Sequence, residues 1–350
     1  MTKASASTAE PGGRASIHDV ARLAGVSTAT VSRVLTGSRG VRQESADAVL
    51  AAVTRLGYRT NQLGRALRRQ STQAIAMIVP TIDNPFFPPL IQSTERYLRS
   101  KGYAMMLCTS DDDPDIEADR VNMLLDRHVD GLLVSPCHRK LSAPTLNNAA
   151  QVVPTVEMDR GTDGFTGDFV AMDDYHAISE VVKHLHAIGR TRLAYVGGDR
   201  TNWSGEHRQA AFAALEPDAR RGKRMLLGQF SENWGYEAGQ QLFRRPARRP
   251  DAVVCGNDLI ALGVIAAAHE ADLTVPGDVA VAGYDDIEIA RRFTPSITTM
   301  RQPVHSLTET AAELLVNRLK DPNRPPTRSF LKTELIVRDS TGNADKSIPA

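Results

Sequence analysis

From Ala74 onward the chain alternates short apolar runs with longer amphipathic stretches, and this rhythm restricts the possible fold more than any other feature. Ala74-Ile75-Ala76-Met77-Ile78-Val79, Met105-Met106-Leu107, Gly131-Leu132-Leu133-Val134, Leu193-Ala194-Tyr195-Val196, Ala252-Val253-Val254-Cys255 and Val279-Ala280-Val281-Ala282 read as strands. Helical stretches such as Leu90 to Leu98 separate nearly all of them. That many crossovers imply parallel sheets covered on both faces, with ligands at the carboxyl ends of the strands. A chain of 350 residues leaves room for roughly two to three domains.

Composition narrows the class. The chain is 41% hydrophobic and 24% charged, as soluble globular proteins are. No run approaches the ~18 apolar residues of a membrane span, so no membrane role is expected. Met1 to Gly13 is rich in Ala, Ser, Thr, Gly and Pro without an apolar segment. It reads as a flexible tail rather than a signal peptide, which implies a cytoplasmic protein. Cys108, Cys137 and Cys255 lie too far apart for a disulfide framework or paired metal ligands.

Charge is uneven. Residues 1–72 hold eleven Lys/Arg against four Asp/Glu, a balance of +7, which leaves −6 for the remainder of a chain of net charge +1. A basic head on an acidic body points to nucleic acid. Within the head, Ser16-Ile17-His18-Asp19 has the form of a capping box, and Ile17, Val20, Ala21 and Ala24 follow at helical spacing. Gly25 ends that helix and Ser27 opens the next, whose buried stripe is Val31, Val34 and Leu35. Thr28, Ala29, Ser32, Arg33 and Thr36 occupy its opposite face, where short side chains let the backbone approach base edges. A third helix is expected from Ser45 to Leu56, ending at Gly57.

Asp19-Val20-Ala21, Ala24-Gly25-Val26-Ser27 and Thr30-Val31-Ser32-Arg33-Val34-Leu35 resemble the signature of the lactose/purine repressor (LacI/GalR) family. The resemblance implies that the helix from Thr28 to Thr36 reads the major groove, with Thr28, Ala29 and Arg33 at its base-reading positions; Ser32, on the same polar face, is counted with them as a DNA-binding residue. Tyr58-Arg59-Thr60-Asn61 and Gln62-Leu63-Gly64-Arg65-Ala66-Leu67 resemble the family's hinge. It implies a short helix that forms when two subunits meet on operator DNA, with Asn61 at the DNA and Leu67 as a wedge in the minor groove. Thr60 stands where the family usually has proline and Gly64 where it has alanine, which removes ~1 kcal/mol of helix propensity.

The remainder resembles the family's effector domain, which shares the fold of type I periplasmic sugar-binding proteins. The landmarks are Asp83-Asn84-Pro85-Phe86-Phe87, Val196-Gly197-Gly198, Gly256-Asn257-Asp258, Gly283-Tyr284-Asp285-Asp286 and Thr299-Met300-Arg301-Gln302-Pro303. The expected fold is therefore an all-α helix-turn-helix head plus hinge helix, followed by an α/β two-lobed periplasmic-binding-protein-like (type I) effector domain. The expected boundaries are a tail at 1–14, the head at 15–60, hinge and linker at 61–72, the two lobes at 73–340 and a tail at 341–350. Lobe one combines residues near 73–172 with 303–328. The resemblance places Phe86, Phe87, Ser204, Arg208, Phe230, Asn257 and Asp285 in the effector cleft. The residues leave alternatives open: Arg208 and Asp285 as a structural ion pair, Phe87 as core, and Asn257 as a helix cap. Trp203 and Trp234 lie nearby and are assigned no role.

No nucleophile with a base, metal cluster or cofactor fingerprint stands out, so no enzyme, cofactor or metal is expected. His176, His184 and His186 invite a metal reading, but His184 and His186 are two apart on an expected helix and point in different directions. A ligand-binding protein of the same fold is the rival reading, but it lacks a basic head. The expected function is a homodimeric regulator, repressing by occlusion at a pseudo-palindromic duplex operator, under a small effector of the sugar class or of the purine class.

Overall fold

Three capped helices build the head. The computed structural model describes residues 15–35, 40–58, 71–221 and 223–342, and the chain divides into two compact units between Thr72 and Gln73. Helix α1 spans Ile17–Ala24. The Ser16 hydroxyl accepts from the Asp19 amide while the Asp19 carboxylate accepts from the Ser16 amide, and Gly25 closes the helix at φ 66°. Helix α2 spans Thr28–Leu35, with Ser27 Oγ accepting the Thr30 amide at 3.2 Å. Helix α3 runs Gln43–Leu56 and ends at Gly57, φ 57°. It starts two residues before Ser45, where Gln43 Nε2 donates to Asp47 Oδ1 at 3.0 Å and steadies the first turn. Val20, Ala21, Val31, Val49 and Ala52 form its small core.

The second unit contains two six-stranded sheets. In chain order its elements are β1 (Ala74–Val79), α4 (Phe87–Ser100), β2 (Ala104–Thr109), α5 (Pro114–Asp126), β3 (Gly131–Val134), α6 (Ser142–Val152), β4 (Thr155–Met158) and β5 (Asp168–Met172). There follow α7 (Asp174–Ala187), β6 (Leu193–Gly198), α8 (Trp203–Leu215), α9 (Pro217–Arg221), β7 (Met225–Gly228), α10 (Glu232–Phe243), β8 (Ala252–Cys255) and α11 (Asp258–Glu270). The chain continues through β9 (Ala280–Asp285), α12 (Glu288–Arg292), β10 (Thr298–Arg301), α13 (Val304–Lys320), β11 (Arg328–Leu331) and β12 (Glu334–Ile336).

Lobe one carries the strand order β11-β5-β4-β3-β1-β2 and lobe two β12-β10-β9-β8-β6-β7. Every pairing is parallel except β10 with β12. Helices on both faces explain the unbroken apolar strands. In β1, Ile75, Met77 and Val79 enter one core cluster while Ala76 and Ile78 enter another. The chain passes between lobes near residues 173, 302 and 332, and α13 returns to pack on the lobe-one strands β3, β4 and β5. A tail was expected from residue 341, but Thr341 is buried and bonded to Thr298 Oγ1 at 2.8 Å. No helix among the described residues is long and apolar enough to cross a membrane.

Two helices approach so closely that only glycine fits between them. A Cβ on Gly263 of α11 would stand 2.0 Å from the Glu232 carbonyl oxygen, and one on Gly235 of α10 2.2 Å from that of Ile260. This contact sets where the starts of α10 and α11 point. Overpacking typically costs about 1–3 kcal/mol. Gly263→Ala is therefore expected to lower stability by that amount in urea unfolding, and an unchanged midpoint would mean that the helices part freely.

Candidate effector cleft and DNA-reading head

Loops at the carboxyl ends of both sheets converge on one cavity of about 270 Å³, lined by Asn84, Phe86, Phe87, Asp159, Arg160, Ser204, Arg208, Phe230, Asn257, Asp285 and Gln302. Parallel strands dictate this placement, because every such loop opens on the same side of its sheet. All seven cleft residues expected from the sequence line the cavity. Asn84, Asp159, Arg160 and Gln302 join them.

Arg208 is 4% exposed, and its Nε donates to Asp174 Oδ1 at 2.9 Å. Its Nη1 donates to the Gly256 carbonyl at 2.7 Å, and the guanidinium lies 3.5 Å from the Tyr284 ring centroid. Asp285 is the more distant carboxylate, at 3.9 Å from Nη1. The structural anchor of Arg208 is therefore Asp174, which leaves Asp285 turned to the cleft. Asp285 Oδ1 accepts from Gln302 Nε2 at 2.7 Å. Burial pushes the Asp285 carboxyl up to about 7, against the pull of Arg208 and Gln302. Burial also raises Asp159, which accepts from Ser135 Oγ at 3.2 Å and is opposed by Arg160.

Asn257 fills two roles. Its Oδ1 accepts the Ile260 amide at 3.0 Å and caps α11, which leaves Nδ2 as a donor at the cavity. Gln302 Oε1 is buried without a partner. Arg160 donates to Asp112 at 3.2 Å, with its guanidinium 5.7 and 6.0 Å from the Phe87 and Phe230 ring centroids. Phe87, though 1% exposed, both lines the cavity and packs in the core.

Asp159 and Arg160 escaped the sequence reading because β4 did. Glu157 interrupts its apolar pattern, yet this residue is buried, with Oε1 and Oε2 accepting from the Thr162 hydroxyl at 2.6 Å and the Thr162 amide at 3.0 Å. Burial lifts the Glu157 carboxyl to about 8. The available signal was the pair Asp159-Arg160 following Thr155-Val156. Trp203 packs edge-to-face on Phe169 and stacks on His207, and Trp234 Nε1 donates to the Gly197 carbonyl at 3.1 Å. His184 bonds Thr341 and His186 bonds Glu216.

In the head, Ala29 and Arg33 are exposed and Thr28 and Ser32 half-buried, opposite the buried Val31. Asn61, Thr60, Gly64 and Leu67 lie outside the described residues.

Residues 16–61 match the family of bacterial regulatory proteins called the lacI family, and residues 182–341 match a periplasmic binding protein-like domain. The Ribose operon repressor of Escherichia coli (strain K12) is 35% identical over 335 residues, spanning 93% of this chain and 99% of the relative. The chain belongs to the LacI family. As a LacI-family protein it is a DNA-binding transcriptional repressor controlled by an effector, and the relatives it matches are repressors rather than enzymes. Its fold is that of the Lac repressor dimer bound to operator and the anti-inducer ONPF, with TM-score 0.85, 23% identity, and coverage of 95% of this chain and 100% of that one. A LacI family regulator from Enterococcus faecalis V583 with bound ribose has TM-score 0.68 and 28% identity over 77% of this chain and 98% of its own.

The raised Asp285 carboxyl has a stability consequence with a definite sign. The folded state holds a proton that the unfolded chain releases above the ordinary value of 3.8, so Asp285 costs stability progressively as pH rises from about 4 to about 7. Asp285→Asn removes that titration. Between pH 5 and pH 8 the variant should gain at least about 1 kcal/mol on the parent in urea unfolding, one pH unit being worth about 1.4 kcal/mol. A constant difference across that range would rule out the buried proton.

Proposed function

We propose that this LacI-family protein is a cytoplasmic homodimer that represses genes from a pseudo-palindromic operator and responds to a small, neutral, polyhydroxylated effector of the pentose class. The observation that carries the effector reading is the mixed donor and acceptor lining of the cleft, in which Asp159 and Asp285 stand with Arg160 and Arg208. Acceptors (Asp159, Asp285, Gln302 Oε1) and donors (Arg160, Arg208, Asn257 Nδ2) line the cavity together with Phe86, Phe87 and Phe230. Hydroxyl groups, each both donor and acceptor, match such a lining. The ribose operon repressor and the ribose-bound regulator support a pentose in particular.

On the DNA, Thr28, Ala29, Ser32 and Arg33 read base edges in the major groove, and Asn61 and Leu67 act from the hinge, with Leu67 as the minor-groove wedge. Effector binding draws on both lobes and thereby biases the paired hinges.

Selection from a randomised duplex pool at moderate salt tests the DNA reading. A pseudo-palindrome with a deformable centre is expected, and no enrichment with or without ribose would defeat it. Asp285→Ala should weaken the ribose response more than about tenfold, equivalent to 1.4 kcal/mol, while operator affinity stays within about twofold. Leu67→Ala should lower operator affinity with unchanged ribose binding. A full ribose response in the Asp285 variant would remove that residue from the site, and heat of binding for a free purine base instead of ribose would replace the pentose.

A further inference from the structure

Asp285 owes its aim to its neighbour. Backbone φ is 114° at Asp285 and 57° at Asp286, so two consecutive non-glycine residues occupy the left-handed region. Such a conformation persists only where the surroundings enforce it. Here they do so on both sides of the turn. The Asp286 carboxylate, 1% exposed, is gripped by Arg291 Nη2 at 2.9 Å, by Arg301 Nε at 2.7 Å and by Arg338 Nη2. The Ile287 amide donates to Asp258 Oδ2 at 2.9 Å, and the other oxygen of Asp258 accepts from Thr299 Oγ1 at 2.6 Å. With Asp286 held outward, Asp285 projects into the cavity and meets Gln302.

The three arginines differ. The side chains of Arg291 and Arg301 are 54% and 41% exposed, which screens their pull, whereas that of Arg338 is 13% exposed. Arg338 is also fixed in place: its Nη1 donates to the Ile297 carbonyl at 2.9 Å and its own amide to Thr298 Oγ1 at 2.7 Å. Two residues on, Ser340 Oγ accepts the Thr298 amide at 2.8 Å and donates to the Val281 carbonyl at 2.6 Å. The segment after β12 is thus stitched to β9 and β10, the strands whose ends carry Asp285 and Gln302.

We propose that Arg338 is a positioning residue for the effector cleft: by clamping Asp286 from the segment after β12, it holds the strained turn that presents Asp285 to the ligand. This rests on the reading of Asp285 as an effector contact. A cation more than fifty residues along the chain thereby sets affinity in a cleft that it does not line.

The test uses the full chain, D-ribose titration calorimetry and amide hydrogen exchange over residues 283–288. Arg338→Met should weaken ribose binding about tenfold and speed exchange at the Asp286 and Ile287 amides, and Arg338→Lys should restore most of both. Arg318→Met provides the structural comparison. Arg318 makes a two-pronged pair with Asp168, at 2.8 and 3.1 Å, at the opposite end of its sheet. Its loss should lower the melting temperature and leave ribose affinity and the exchange of the turn alone. Parent-like exchange and affinity in Arg338→Met would overturn the proposal, as would equal losses in the Arg338 and Arg318 variants. If the parent chain takes up no ribose, the pentose reading fails, and the exchange rates of the turn still decide the role of Arg338.

Discussion

Asp174 lies beneath the cleft and binds Arg208 Nε and the Tyr284 hydroxyl through a single oxygen, each at 2.9 Å. Burying an ion pair is tolerable only when its remaining donors are also satisfied. Arg208 meets that condition with the Gly256 carbonyl and the face of Tyr284. The cluster therefore ties α7, α8, the end of β8 and β9 together at one point of lobe two. It also limits what Asp285 does for Arg208, because Asp285 Oδ1 stands 3.9 Å from Nη1, a nitrogen that already donates to the Gly256 carbonyl.

The two lobes meet through more than the cleft. The Arg139 amide donates to the Thr201 carbonyl at 2.6 Å, and its guanidinium bridges Asp163 of its own lobe and Glu206 of the other at 2.9 and 3.4 Å. A ligand can shift the lobes only by binding one arrangement better than another. Gln302 lines the cleft within the passage from β10 to α13, where its Nε2 donates to Asp285 Oδ1.

Legibility in the sequence followed burial. Strands buried on both faces, such as β1, β3 and β8, print as continuous apolar runs with clear ends, and capped helices such as α1 print as Ser16, Asp19 and Gly25. Edge strands do not. The edge strand β2 is the exception, read from Met105-Met106-Leu107 although it is partly exposed; β7 is partly exposed despite its apolar Met225-Leu226-Leu227, β11 and β12 are partly exposed and carry mixed residues, and β4 hides behind a buried Glu157 whose bonds to Thr162 offset its polarity only in three dimensions. Phe86, Phe87, Arg208 and Asp285 were recovered through family resemblance, not periodicity. The role of Asp174 was not legible, because its partners lie 34 and 110 residues away.

Asn257 illustrates why the cleft and the fold cannot be separated residue by residue. Capping α11 consumes its Oδ1, and that helix packs on α10 through Gly235 and Gly263 with no space to adjust. Phe230 stands one residue before the Ser231 cap of α10, and Asn257 is itself the cap of α11, so one helix contact sets both an aromatic face and a donor of the cavity. The polar code of the cleft is thus read from the starts of helices whose separation is fixed by the absence of side chains. A family member could change its effector by exchanging cleft residues while keeping these glycines, because the frame is set by backbone contact and the chemistry by the side chains mounted on it.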